Sequence, residues 1–233
     1  MRDRREEVAA NLQRVRERIA AACAQAGREP GEVTLTVVTK FFPESDVRLL
    51  ASLGVRDLGE NRHQEAVEKV RVCADLDLVW HFIGSVQSNK AAAVAEYADV
   101  VESVDRAKLL SGLSRGAHRR GRQLDCLVQV SLDPAPSGTR AGAPPHEVVP
   151  LARAVVATEG LRLRGLMAIA PPGEDPQPCF EKLAGLAAEV RRLEPSARWI
   201  SAGMSGDLEA AVTAGATHVR IGSAVLGERP PLG

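Results

Sequence analysis

Cysteine is scarce in this chain. Cys23, Cys73, Cys126 and Cys179 are the four in 233 residues, far apart and without a CxxC pair. That spacing argues against a zinc cluster or a dithiol redox pair, and a reducing cytoplasm is the expected compartment. Aromatic residues make up 3 %, with a single tyrosine, Tyr97. No apolar run approaches the ~18 residues of a membrane span. The N-terminus, MRDRREEVAANLQRVRERIAAACAQAG, is charged and heptad-like and lacks the apolar core of a signal peptide. Net charge is missing too, since 30 Lys+Arg balance 30 Asp+Glu. Neither nucleic acid nor a membrane surface is therefore an expected partner. The basic run from Arg115 to Arg122 reads as a solvated helix end and loop. A Gly-rich first turn, an internal repeat and a long linker are also lacking.

What is there is an ordinary globular composition, 45 % apolar and 26 % charged, long enough for one large core. Residues 4–26 form an amphipathic helix with Val8, Leu12, Val15 and Ile19 at helical spacing and Gly27 as its stop. Strand patterns follow at 33–39, 55–58, 79–83, 100–104, 124–130, 161–169, 198–201 and 217–221. Helical segments fall between them, at 43–53, 62–72, 89–96, 106–118, 145–157, 176–193 and 205–214. Eight strands alternating with helices indicate a single α/β domain over 1–233, a (β/α)8 TIM-type barrel with the helix at 1–27 packed on it. A doubly wound sheet is the competitor, and it would want the missing Gly-rich turn. The Pro/Gly/Ala-rich stretch 133–145 is a flexible surface loop or a lid over the barrel mouth.

In such a barrel the chemistry sits at the C-terminal ends of the strands. The first strand delivers Lys40. At the edge of the core, desolvation would lower its pKa and make it a nucleophile toward an aldehyde; a lysine that snorkels to solvent is the plainer reading. The seventh strand runs into Ser201-Ala-Gly203-Met-Ser205-Gly-Asp207, which opens a helix, and the eighth ends Arg220-Ile-Gly222-Ser223. Both turns are small and rich in donors, at the strands where phosphate sites of this fold are commonly built. Asp207 fits beside an anion only if it points away. A phosphate-anchored pyridine ring reaching Lys40 would lay its nitrogen near Arg220. That arginine cannot accept a proton and would leave the ring a weak electron sink, unless it is taken up in an ion pair inside the mouth. His81 either stacks near the ring or is a packed, hydrogen-bonded core histidine. Met167 joins the expected contacts mainly as packing.

Taken in order, Val38-Thr39-Lys40 with Pro43, Gly59-Glu60-Asn61 with Gln64-Glu65, Trp80-His81-Phe82-Ile83-Gly84 with Gln87-Ser88-Asn89-Lys90, Arg164-Gly165-Leu166-Met167, Gly203-Met204-Ser205 with Asp207 and Glu209, and Val219-Arg220-Ile221-Gly222-Ser223 with Gly227 resemble the pyridoxal phosphate homeostasis protein family. The matches run from about residue 33 to 228. The resemblance implies a barrel like the N-terminal domain of alanine racemase. It implies pyridoxal 5′-phosphate as a Schiff base on Lys40, with phosphate held around Ser201, Gly203, Ser205, Gly222 and Ser223. It further implies Arg220 facing the pyridine nitrogen and Asn61 and His81 lining the ring. Such proteins buffer, store or deliver the cofactor and affect amino-acid and keto-acid balance, with pyridoxal-phosphate-dependent apo-enzymes as expected partners and a monomer as the expected state. The family often has a lysine before Ser-Gly after the fifth strand. Here the stretch is Pro136-Ser137-Gly138, with Arg140 as a substitute.

The alternative is a racemase. Two-base racemisation needs a proton-transferring group on each face of the ring. Lys40 supplies one, but Tyr97 lies at a predicted helix end and no second domain follows the eighth strand. The carrier without robust turnover is the expectation.

Overall fold

The computed structural model describes residues 3–133 and 141–228. The family-pattern stretch Pro136-Ser137-Gly138, Arg140 and most of the lid expectation at 133–145 lie outside the described residues. Eight parallel strands close into a barrel in sequential order. They are β1 (Thr34–Val38), β2 (Asp57–Glu60), β3 (Val79–Phe82), β4 (Val100–Val104), β5 (Leu124–Val130), β6 (Leu161–Ala168), β7 (Trp199–Ser201) and β8 (His218–Ile221). β1 closes the ring onto β8, with Val37 paired to Ile221.

Period-two alternation divides each strand between two environments. Val37, Leu58, Val219 and Ile221 point outward into an apolar layer shared with the surrounding helices. Thr36 and Val38 turn inward, where they meet Gly59 and Ile83. The interior is lopsided. Val100, Leu127 and Met167 fill one part of it. Thr36, His81, Glu102, Ser201 and Arg220 form a buried polar part.

The outer layer comprises α1 (Arg4–Gln25), α2 (Glu44–Ser52), α3 (His63–Val72), α4 (Ala91–Ala95), α5 (Leu110–Arg120), α6 (Pro145–Val156), α7 (Pro176–Leu193), α8 (Leu208–Thr213) and α9 (Ser223–Leu226). In α1 the residues Val8, Leu12, Val15 and Ile19 are buried at the predicted spacing. Each such burial is worth about 2 kcal/mol. The polar edge of α1 ties down the chain between Ser205 and Leu226. Asn11 donates to the Val225 carbonyl (2.9 Å), Arg4 to that of Leu226 (3.0 Å) and Arg18 to that of Ser205 (3.1 Å).

All eight expected strands are present, with local shifts. β2 begins at Asp57 rather than at 55, because the Val55 N–H bonds back to the Leu50 carbonyl (3.0 Å) and belongs to the turn closing α2. α8 begins at Leu208 rather than at 205. The Asp207 carboxylate accepts the Met204 N–H (2.6 Å), and that turn displaces the helix start. The short α9 was not expected.

Candidate functional site

Lys40 lies two residues past β1, in a turn in which the Phe42 N–H bonds to the Thr39 carbonyl (3.1 Å). It lines a cavity of about 370 Å3 at the C-terminal mouth of the barrel, a volume in the range of small-molecule sites. Asn61, Ser205, Arg220, Gly222 and Ser223 stand around the same cavity, so six of the ten expected contacts meet there. Val38, Phe42, Ile83, Ile169, Met204 and Gly206 complete it. Ile169 and Met204 are among the few large apolar side chains exposed in the described residues. A second hollow, of about 250 Å3, lies across Ile83 and Ile169 and is lined by Gln129 and Ser131. It holds neither the lysine nor the two donor-rich turns.

The other four expected contacts are not in the cavity wall. His81 is 1 % exposed within the barrel, with Nδ1 2.7 Å from Glu102 Oε1 and Nε2 3.1 Å from Asp57 Oδ1. It points inward one step below Ile83, which takes the place at the mouth. Met167 is fully buried against Val100 and Leu127 for the same reason, one step below Ile169. The Ser201 hydroxyl is consumed inside, donating to Glu102 Oε2 (2.6 Å) and accepting from Arg220 Nη1 (2.7 Å). Gly203 is a backbone position. Its φ is +92°, and a Cβ there would come within 2.7 Å of the Ala211 side chain, so it shapes the turn before α8.

Arg220 joins the interior network to the cavity. Nη2 donates to the Ala168 carbonyl (2.9 Å), and Nη1 stands 3.9 Å from Glu102. These bonds leave other guanidinium N–H groups for the cavity side. Both ring nitrogens of His81 face carboxylates, so both act as donors and the ring is an imidazolium. Burial pushes the His81 pKa down, but its bonds to Asp57 and Glu102 overcome this and lift it to about 9. Burial likewise works against the Glu102 carboxylate, and His81, Arg220 and Ser201 hold it ionised, with a pKa of about 2. Asp57, His81, Glu102 and Arg220 thus alternate in sign from the base of the barrel to the mouth.

Asn61 owes its place to a glycine. A Cβ on Gly84 would fall 2.2 Å from the Asn61 carbonyl oxygen, so only glycine lets β3 approach this closely. Asn61 Oδ1 is buried at the cavity and has no hydrogen-bond partner among the described residues. The backbone N–H groups of Ser205, Gly206 and Ser223 likewise have no protein acceptor among the described residues. Asp207, turned back on Met204, leaves the approach to these donors open.

The cavity residues missed by strand-end reading are Val38, Phe42, Ile83 and Ile169. Carrying the alternation of His81 and Met167 two residues further would have found the last two. Glu102 was missed as well, although an acid inside Val-Val-Glu-Ser-Val is itself a signal that a buried partner is needed.

A model of the alanine racemase N-terminal domain family matches residues 5–230. The pyridoxal phosphate homeostasis protein of Mycobacterium tuberculosis is 42 % identical, over 97 % of this chain and 95 % of that protein. The chain belongs to the pyridoxal phosphate homeostasis protein family. PipY of Synechococcus elongatus, solved with PLP bound, is 34 % identical with a TM-score of 0.82, covering 94 % of this chain and 100 % of PipY. Alanine racemase of Corynebacterium glutamicum, at 14 % identity and a TM-score of 0.70, spans 98 % of this chain but 63 % of that enzyme, a likeness of fold alone. The homeostasis family therefore shares the racemase barrel. Among the described residues no helix is long and apolar enough to cross a membrane.

Proposed function

We propose that this protein holds pyridoxal 5′-phosphate as a Schiff base on Lys40 and serves in cytoplasmic homeostasis of the cofactor, exchanging it with apo-enzymes rather than catalysing turnover. The observation that carries this reading is the meeting, in one cavity, of a half-buried lysine and two turns with unpartnered N–H donors, Ser205–Gly206 and Gly222–Ser223. Such turns suit a phosphate dianion. Asn61 Oδ1, buried without a partner, is an acceptor awaiting a polar ligand group. Val38, Ile83, Ile169 and Met204 supply apolar walls for a ring. The residues present thus fit the cofactor.

Lys40 would hold its aldehyde carbon, the two turns its phosphate, and Arg220 the pyridine nitrogen. Bound there, the cofactor supplies an electrophilic carbon that combines reversibly with amines. Arg220, kept cationic by Glu102 beneath it, cannot protonate the ring, which weakens the ring as an electron sink. Tyr97 does not line the cavity. It lies between His63 (3.4 Å from Nδ1) and Phe82 in the outer layer, and burial pushes its pKa up. It is therefore no counterpart to Lys40 on the far side of the ring, which supports the carrier over a two-base racemase.

The experiment is an absorbance spectrum of the cofactor-loaded protein before and after borohydride, alongside Lys40→Ala, followed by incubation with a cofactor-free transaminase. A visible band fixed by reduction, absent from the variant, and recovery of transaminase activity are the expected results. A band that persists in Lys40→Ala would overturn the assignment. Steady racemisation of an amino acid by the loaded protein would overturn the carrier reading.

A further inference from the structure

We propose that α3 is a clamp on the turn that carries Lys40, with Glu60, Glu65 and Lys69 as positioning residues that preset the lysine for the cofactor. The inference rests on the assignment of Lys40 above. None of these three residues lines the Lys40 cavity.

The turn is held on both sides of the lysine. Before it, the Thr39 carbonyl accepts from Lys69 Nζ (2.7 Å), and the Thr39 hydroxyl donates to Glu60 Oε1 (2.6 Å). Lys69 and Glu60 are themselves a buried ion pair at 2.6 Å. After it, the Phe41 N–H donates to Glu65 Oε2 (3.0 Å), and the Arg62 guanidinium lies 5.4 Å from the centre of the Phe41 ring. Glu65 is in turn bonded to Arg62 (2.9 Å). Glu65 and Lys69 are four residues apart and so share one face of α3.

A buried lysine, a buried glutamate and a helix face are thus spent on two backbone groups that flank Lys40. That expenditure has a visible counterpart. Phe41 is the one non-glycine residue at positive φ among the described residues, at +70°. It occupies the third position of a β-turn, where that φ normally calls for glycine or asparagine. A side chain persists there only when its surroundings over-determine it. The two common forms of such a turn differ by a flip of the peptide between its second and third residues, which is the Lys40–Phe41 peptide. The flip reverses the Phe41 N–H. By accepting that N–H, Glu65 selects the form with positive φ and fixes the backbone from which the lysine projects. Release of the clamp would let Phe41 relax to negative φ, and the ordering would have to be regained each time the cofactor binds.

The test compares Glu65→Ala with Glu65→Gln, whose amide oxygen still accepts an N–H. The readouts are the dissociation constant for pyridoxal 5′-phosphate, the pH titration of its absorbance band and the melting temperature of the cofactor-free protein. Glu65→Ala is expected to bind about tenfold more weakly, a factor equivalent to about 1.4 kcal/mol. Its band should titrate at a shifted pH while its apo melting temperature stays near that of the unmodified protein, and Glu65→Gln should restore both binding and titration. The volume-conserving pair Glu60→Gln with Lys69→Met removes the other half of the clamp and should move binding and titration in the same direction. If the unmodified protein forms the borohydride-fixed adduct at Lys40 and both sets of variants bind and titrate as it does, the clamp is wrong. If the unmodified protein forms no such adduct, the assignment of Lys40 fails first and the clamp falls with it.

Discussion

Two buried histidines inside the barrel should give opposite limbs to the pH dependence of stability. His81 faces Asp57 on β2, Glu102 on β4 and His218 on β8, and its folded pKa is lifted from 6.5 to about 9. His218 sits against Trp199 with its centroid at 4.4 Å, bonded to Thr217 Oγ1 (2.8 Å). Burial lowers its pKa to about 4, although Glu102 and Asp57 pull the other way while His81 and Arg164 add to the fall. A raised pKa means that the native state keeps a proton the unfolded chain has lost. The His81 contribution is therefore complete below pH 6.5 and is lost as pH rises through 9. A lowered pKa has the opposite sign, so the His218 contribution is complete above pH 6.5 and is lost as pH falls through 4. Each separation from 6.5 corresponds to about 3 kcal/mol, at a slope of about 1.4 kcal/mol per pH unit. Urea unfolding of the cofactor-free protein in half-unit steps from pH 4.5 to 9.5 reads both limbs. His218→Asn should flatten the acid limb and leave the alkaline one. His81→Gln should lower stability overall, since it strands Glu102 and Asp57, yet flatten the alkaline limb. An unchanged alkaline slope in His81→Gln would refute the assignment of a protonated imidazolium between two carboxylates.

Three further perturbations follow from the same geometry. Gly84→Ala places a Cβ on the Asn61 carbonyl, and the forced backbone shift should cost about 3 kcal/mol or more and weaken cofactor binding, read by melting temperature and titration. Arg220→Gln leaves the buried Glu102 with His81 as its one remaining cationic partner, so chemical denaturation should show a loss of about 3–5 kcal/mol, and the absorbance band of any bound cofactor should move. Arg18 holds the Ser205 carbonyl and Glu209 from an exposed position. Arg18→Ala should therefore change stability by less than about 1 kcal/mol, while weakening pyridoxal 5′-phosphate more than pyridoxal, as paired titrations would reveal.

The barrel was legible because its signal is repeated. Eight short apolar runs, each separated from the next by a helical segment or turn, announce eight strands even when one boundary slips, and β2 slipped without changing the reading. The site was legible where chemistry and position coincide, as at Lys40 and the two donor-rich turns. It was not legible where depth decides. Along a strand, side chains alternate in and out, and successive inward residues stand about 6.6 Å apart along the strand axis. His81 and Ile83 are both inward residues of one segment, yet only the second reaches the cavity. Motif proximity alone cannot separate them, and the same holds for Met167 and Ile169. Glu60, at the end of β2, lay outside the reading for a different reason. It points outward and acts on the mouth only through Thr39 and Lys69, a partnership between β1, β2 and α3 that exists once they pack.

The charge pattern inside the barrel bears on how such a site can both hold and release an anionic ligand. Among the described residues, Lys40 and Arg220 are the cationic side chains of the cavity wall, and Arg220 is already offset by Glu102 from below. The turns at 205–206 and 222–223 contribute neutral N–H groups instead of further cations. A phosphate held this way gains hydrogen bonds without the deep electrostatic trap that a cluster of arginines would make. On the proposed assignment, more of the retention would then fall on the bond at Lys40, which an incoming amine could exchange. The strain at Phe41 and the buried pair beneath it place the fold's effort at that residue. For a carrier this division would be favourable, because the reversible step would be confined to one side chain.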